Sequence, residues 1–423
     1  MPRKLWWAVA LAAVAPICFS CSRTSPTTPS TEASPISVKA ALGNPLVKSN
    51  ASQSMFARIE VGAAPRSGHG RPRVNLVLLV DTSGSMEGKA IADARTASLA
   101  LLDTLSPKDR FSVIAFDSKA DVLMPSTKIE DADLKELRTK IGAMKAKGTT
   151  DMVSGLRTAL AQAESGLEKD GVNRIILLGD GVPNDDVPIQ QIIGQAASRG
   201  ISITTMGLGA DYDETLMGRI AQGSGGKFSF VDDSSKVSSF FKEEVVRLQH
   251  VVAQSAYVEL RPGPGVTIKS VIGRASSAVD GHAVNVQLGD LSYGESNEIV
   301  VELATNPTKD GAIVEALDAT VHWYDGSAQR EERAFVGAKA TTDEVKIKES
   351  KVQDVSDAVA RAQDAAATLK KIEQDRIQEN SQMKSRTTTN GAMPAPAVAA
   401  PPKQSQVERN RMHDQAIQNF MAH

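Results

Sequence analysis

The sequence predicts an α/β fold: a doubly wound, mostly parallel sheet inserted in an antiparallel β-sandwich, followed by a C-terminal helix and a disordered tail. Three observations carry this expectation. From residue 73 to about 253, short all-apolar runs alternate with amphipathic stretches, as in a sheet covered by helices on both faces. Beyond residue 254, apolar residues recur at every second position between turns of Gly, Pro and Asp, the texture of half-solvated antiparallel strands. The same alternation at Met55, Ala57, Ile59 and Val61 precedes the α/β stretch, so the sandwich begins before the domain that interrupts it.

Within the α/β stretch, strands are expected at Val74–Val80, Arg110–Phe116, Ala120–Met124, Arg174–Gly179, Ile201–Gly207 and Gly226–Phe230. Helices are expected at Lys89–Leu105, Asp131–Ile141, Asp151–Ala163, Ile189–Arg199, Tyr212–Ala221 and Val237–Val252. Only a short turn around Asp117–Lys119 separates the second strand from the third, which makes that pair antiparallel. In the sandwich, Ala256, Val258 and Leu260 alternate, as do Val284, Val286 and Leu288, then Ile299, Val301 and Leu303, then Leu317, Ala319, Val321 and Trp323.

The domain limits follow: a signal segment over 1–20, a Ser/Thr/Pro-rich linker over 21–50, sandwich over 51–65 and 254–340, and the α/β domain over 72–253. Residues 349–380 form a helix, with Val352, Val355, Val359, Ala362, Ala366 and Leu369 on one seam. That seam suits either packing on the chain's own sandwich or a coiled-coil contact. Residues 381–423 are a low-complexity tail with "MPAPAVAAPP" as a Pro/Ala linker and a short polar helix near the end.

The first residues, "MPRKLWWAVALAAVAPICFSC", place Arg3 and Lys4 before an apolar stretch from Leu5 to Phe19. A positive head and an apolar segment of this length suit export and are brief for a spanning helix. With Cys21 and the spacer after it, the segment resembles a bacterial lipoprotein signal. The resemblance implies lipidation of Cys21 and attachment to a membrane outside the cytoplasm. It departs from the usual pattern in having Cys18 three residues before Cys21, where Leu is common. A plain secretory signal and an uncleaved anchor are the other readings. The only cysteines are Cys18 and Cys21, so the domains after them hold no intrachain disulfide.

Composition narrows the function. The chain has 423 residues, 41% hydrophobic and 23% charged, an ordinary globular balance with room for two or three domains. Its formal net charge of −2 and the lack of a basic stripe exclude nucleic acid as an electrostatic partner.

The chemistry-bearing residues lie at strand ends. "LLVDTSGSME" places Asp81, Ser83 and Ser85 on alternate positions directly after an all-apolar core strand, where open α/β sheets hold their ligands. "KGTTDMVSGL" puts Thr150 just before a helix, and "RIILLGDGVPN" ends a second all-apolar strand in Asp180. If those strands are central and adjacent, the five groups meet at one sheet edge. All are hard oxygen donors, without thiol or imidazole, which suits Mg²⁺, Mn²⁺ or Ca²⁺ over zinc or copper. Two carboxylates only balance a dication, which stays electrophilic toward an incoming carboxylate. Asp185 and Asp186 read as solvated loop charges beside the site, and the six histidines show no ligand spacing.

These residues also carry a family resemblance. "DTSGS" at 81–85, the threonine at 150 and "GDG" at 179–181 resemble the metal-ion-dependent adhesion site of von Willebrand factor type A domains. "MGLGADYDETLMGRIAQGSGGKFSF" at 206–230 is similar to the late strand–helix–strand of bacterial members. The resemblance implies that Ser83, Ser85 and Thr150 contact the metal directly while Asp81 and Asp180 act mainly through water. It also implies a protein partner that supplies an Asp or Glu carboxylate, with no reaction turned over. Two other classes stay open: a metal-dependent phosphotransferase with Asp81 as nucleophile, and an accessory of an AAA+ ATPase. In the first, a general acid usually stands two residues after the nucleophile, and here that residue is Ser83.

Overall fold

The computed structural model describes residues 34–65, 71–179, 187–208, 213–231, 233–279, 282–387 and 403–421. Cys21 with the signal segment, Asp180, Asp185, Asp186 and the 393–402 linker lie outside them. β1 (Ile36–Leu42), β2 (Leu46–Lys48) and β3 (Gln53–Ala63) open the sandwich. β1 pairs antiparallel with β3 from Ile36 opposite Ala63 to Leu42 opposite Ala57. This corrects the expected limits, because residues 36–48 were assigned to the 21–50 linker and the sandwich was expected from 51. Ala40 and Ala41 blur the alternation of β1, and long-range pairing with β3 makes it a strand.

The chain then leaves the sandwich. β4 (Val74–Asp81) leads to α1 (Lys89–Leu102), then β5 (Arg110–Phe116), β6 (Ala120–Lys128), α2 (Leu134–Gly142) and α3 (Met152–Ser165). After these come β7 (Val172–Gly179), α4 (Val187–Ser198), β8 (Ile201–Leu208), α5 (Glu214–Ser224), β9 (Phe228–Val231) and α6 (Val237–Gln249). The sheet order is β6-β5-β4-β7-β8-β9, parallel except for β6, which runs antiparallel to β5. Successive strands thus step outward from β4 in both directions, and the crevice between the C-terminal ends of β4 and β7 is the switch point of a doubly wound sheet.

Burial explains the continuous apolar runs of β4 and β7 and the hydrogen-bonded Thr204 and Thr205 of β8. β4, β7 and β8 are buried along their whole length. Leu76, Leu78 and Val80 pack toward α1, α2 and α6, while Val77 and Leu79 pack toward α3, α4 and α5. The Asp133, Asp151 and Asp213 carboxylates cap α2, α3 and α5, accepting N–H groups of Glu136, Ser154 and Leu216. Three helices are shorter than their patterns suggest. α2 starts only at Leu134, because residues 129–131 form a separate 3-10 turn. α1 stops at Leu102, where Thr104 returns its hydroxyl to the Leu101 carbonyl, and α6 stops at Gln249 because Val251 already belongs to a strand.

That strand is β10 (Val251–Pro262), followed by β11 (Val266–Val271), β12 (Ser277–Ala278), β13 (Val284–Ser292), β14 (Ser296–Thr305), β15 (Ile313–Tyr324) and β16 (Gln329–Thr341). The two sandwich sheets have the orders β1-β3-β14-β11 and β12-β13-β10-β15-β16-β2. Ile59, Val61, Val258, Leu260, Leu303 and Trp323 share the core between them.

α7 (Glu344–Glu349), α8 (Gln353–Thr387) and α9 (Lys403–Met421) complete the chain. α8 lays Val355 and Val359 against Val300 and Phe56, so the 349–380 seam packs on its own sandwich rather than serving a coiled coil. The expected 381–423 tail is corrected too: α8 continues to Thr387 and α9 is a docked helix of 19 residues. Ile417 of α9 enters the α/β core, Ala416 joins the α8 cluster, and His413 meets Phe228 edge-on at 5.2 Å. Half of its buried face is polar, Asn410 and His413 beside Ala416 and Ile417, which hid the helix from a hydrophobic pattern.

A buried ionic network joins the inserted domain to the sandwich. Arg174 of β7 reaches Asp290 of β13 at 2.9 Å and the Thr204 hydroxyl at 2.9 Å. Thr204 donates to Glu244 of α6 at 3.0 Å, Glu244 pairs with Arg247 at 2.6 Å, and Lys227 pairs with Glu295 at 2.7 Å. Burial pushes the Glu244 carboxyl up, but Arg247, Arg174 and Lys227 outweigh it and hold it down at about 2. A carboxyl depressed from 4.5 in the unfolded chain stabilises the fold fully above that pH and loses the contribution as pH falls toward 2. Urea-denaturation midpoints are therefore expected to drop between about pH 4.5 and pH 2, and Glu244→Gln is expected to flatten that part of the drop. An unchanged pH slope in the variant contradicts this account.

Candidate functional site

The site begins where β4 runs out of core. Asp81, the last residue of β4, is fully buried, with Phe116 of β5 opposite it. The Asp81 Oδ1 accepts the Ser83 N–H at 2.7 Å, closing a tight turn after the strand. Thr82 fastens that turn to β5, donating both its N–H, at 2.8 Å, and its hydroxyl, at 3.1 Å, to the Phe116 carbonyl. Met86 is buried beneath, with its N–H on the Ser83 carbonyl at 3.1 Å. A turn pinned at three points leaves its side chains little freedom. The Ser83 and Ser85 hydroxyls stand 3.0 Å apart, with Ser85 exposed and Ser83 nearly covered.

The Thr150 loop docks on the same turn. The Gly84 N–H donates to the Gly148 carbonyl at 3.1 Å, and the Lys147 N–H donates to the Thr82 carbonyl at 2.8 Å. These bonds bring the half-buried Thr150 beside the Asp81–Ser85 turn, immediately before the Asp151 cap of α3.

From the other flank, β7 ends at Gly179 against the Asp81 side chain. A Cβ on Gly179 would stand 3.0 Å from Asp81 Cβ and 3.2 Å from its Oδ2. Only a glycine lets the strand approach this closely, and the next residue in the chain is Asp180. Of the five expected donors, the structure gathers Asp81, Ser83 and Ser85 into one turn and brings the Thr150 loop onto it. Asp180 lies outside the described residues. No group of three or more His, Cys, Asp or Glu side chains suited to a metal occurs among the described residues.

Sequence reasoning missed the parts that hold these donors. Thr82, Asp117 and Ser118 bear no donor pattern of their own, and their bonds run to Phe116, Asp151 and Thr149. The one available signal was the short turn at 117–119, whose hairpin keeps β5 level with the site.

Comparison with known proteins agrees with the α/β fold. Residues 75–243 match the family model of the von Willebrand factor type A domain. The uncharacterized protein YfbK of Escherichia coli (strain K12) is 29% identical over 61% of this chain, and the chain spans only 46% of that protein. The uncharacterized protein sll0103 of Synechocystis is 26% identical, over 76% of this chain and 77% of its own length. Among solved structures, a von Willebrand factor type A protein from Catenulispora acidiphila superposes with a TM-score of 0.67 over 80% of each chain, at 18% identity. That likeness is one of fold.

Gly179→Ala is expected to press on the Asp81 carboxylate and to cost roughly 1–3 kcal/mol, the usual range for an overpacked core position. Chemical denaturation measures the loss. A variant as stable as the parent shows that β7 does not pack on Asp81 as described.

Proposed function

Because residues 75–243 are a von Willebrand factor type A domain set in a β-sandwich, we propose that this protein is an extracytoplasmic binding module that captures an acidic side chain of a protein partner through a divalent metal ion. Domains of this family are adhesion and protein-interaction modules and commonly hold a divalent ion. The observation that carries the reading is the strand-end turn itself: a buried carboxylate, two hydroxyls side by side and the Thr150 loop docked on them.

The Ser83 and Ser85 hydroxyls, 3.0 Å apart, are close enough to serve one ion. Ser83, Ser85 and Thr150 would ligate Mg²⁺, Mn²⁺ or Ca²⁺ directly, with Asp81 and Asp180 acting through water. The metal supplies an electrophilic centre for an incoming carboxylate. The protein supplies a turn that is already ordered, so binding costs little rearrangement.

A binder suits the turn better than an enzyme. A phosphotransferase using Asp81 as nucleophile needs a general acid nearby, and the position two residues on holds Ser83, whose hydroxyl meets Ser85. The Asp81 Oδ1 is itself committed to the Ser83 N–H. The AAA+ accessory reading fits poorly with an N-terminus that resembles an export signal. By that resemblance the chain is a lipoprotein of the cell envelope, anchored through Cys21.

Asp81→Ala and Asp180→Ala are expected to abolish Mg²⁺ binding in calorimetry and chelator-sensitive capture of an envelope partner, while circular dichroism stays that of the parent. Capture that is equal with and without chelator removes the metal from the reading. Incorporation of labelled fatty acid is expected in the parent and not in Cys21→Ser; equal labelling of both rules out lipidation at Cys21.

A further inference from the structure

We infer that Ser118, in the turn after β5, is a positioning residue for Thr150: its hydroxyl grips the neighbouring Thr149 and so sets where the Thr150 hydroxyl stands. The inference rests on the metal-binding reading above and extends it to a residue outside the expected donor set.

Thr150 belongs to a loop held from two sides. On the β4 side the contacts are backbone bonds from Gly84 to Gly148 and from Lys147 to Thr82. On the β5 side, the Asp151 N–H donates to the Asp117 carbonyl at 2.7 Å, and the Thr149 N–H donates to the Ser118 Oγ at 3.1 Å. The Thr149 hydroxyl lies 3.3 Å from the same oxygen. Ser118 thus holds both polar groups of Thr149, the residue next to the donor.

The fold explains why Ser118 can reach. In most of this sheet a parallel strand ends in a loop that turns away into a helix. β5 instead turns back into antiparallel β6, so the 117–119 turn stays level with the strand ends. The turn is fixed by its own bonds, Asp117 N–H to the Lys119 carbonyl at 2.9 Å and Lys119 N–H to Asp117 Oδ1 at 3.3 Å. The loop is fitted to it closely. Gly148 has φ 72°, and a Cβ there would stand 2.6 Å from the Ser118 Oγ. Gly148 therefore meets two demands, a left-handed backbone and room for the Ser118 hydroxyl.

Ser118 is exposed and takes no part in the core, so replacing it tests position rather than folding. Groups that orient a metal's ligands typically matter by about 10–100-fold in metal affinity. Because three backbone bonds still hold the loop in Ser118→Ala, the lower end, about tenfold, is expected. The test uses the full chain, Mg²⁺ alone as probe, and three measurements on the parent, Ser118→Ala and Ser118→Thr: calorimetric affinity, amide hydrogen exchange at 147–151, and melting temperature. Ser118→Ala should bind Mg²⁺ about tenfold more weakly and exchange the Thr149 amide faster, with the melting temperature of the parent. Ser118→Thr, which keeps the hydroxyl, should restore affinity and protection. Parental affinity in Ser118→Ala, unchanged exchange, or a loss of affinity matched by a general fall in melting temperature each overturns the role of Ser118. A parent chain that takes up no Mg²⁺ overturns the metal reading itself, a distinct result.

Discussion

A sheet buried on both faces admits polar side chains only where they are hydrogen-bonded, as Thr204 and Thr205 of β8 are. It gathers most of its chemistry at the strand ends, and the rest of this structure follows from that constraint. β7 shows it most clearly. Its middle is Ile175, Ile176, Leu177 and Leu178, all fully buried. Its N-terminal end carries Arg174, neutralised by Asp290 across the domain junction, and its C-terminal end carries Gly179 against Asp81. One end is a structural weld and the other borders the proposed binding site. The charges at the weld are matched: Arg174, Arg247 and Lys227 face Glu244, Asp290 and Glu295. Removing one member of such a set would strand its partner in a medium that solvates charge poorly.

The weld gives the insertion a fixed seat. α6 contributes Glu244 and Arg247 and then runs directly into β10, so the last helix of the inserted domain and the first sandwich strand after it are tied at the same place. α9 braces a second side, with Ile417 in the α/β core and Ala416 against α8. The Arg409 guanidinium also reaches the buried Glu214 carboxylate at the start of α5. Domains joined by polar, modest interfaces ordinarily move relative to one another. Here an ionic set with Arg174, Glu244 and Asp290 buried at its centre, and a returning helix, oppose that motion.

What was legible in the sequence divides by range. Asp81, Ser83 and Ser85 are neighbours in the chain, and the apolar run before them announces a buried strand, so their turn could be read from residues alone. Thr150 and Asp180 needed the resemblance as well, because nothing local says which strand end they share. The parallel strands were legible because burial on both faces gives continuous apolar runs. β1 and α9 were not. The first is an Ala-containing strand made by its partner β3, and the second hides a buried face of Asn410, His413, Ala416 and Ile417 in a polar sequence. Ser118 and Thr82 escaped for a related reason. Serine and threonine in turns are common, and their role here comes from contacts to the loop before α3 and to the end of β5.

The division between donors and supports bears on why the donors are mostly neutral. On the proposed reading, a site of carboxylates alone would hold its ion more tightly but would carry a net negative charge that repels a further carboxylate. Hydroxyls beside two carboxylates would complete the donor set without adding negative charge, at the cost of weaker individual bonds. Such a site depends on having its donors already in position, since neutral ligands contribute too little to reorganise a loop. The four backbone and side-chain bonds that fix the 147–151 loop between the β4 and β5 turns meet that requirement before any ion arrives. On the proposed reading, affinity would come from order in the scaffold, and an acidic partner would meet an ion that two carboxylates balance without giving the site a net negative charge.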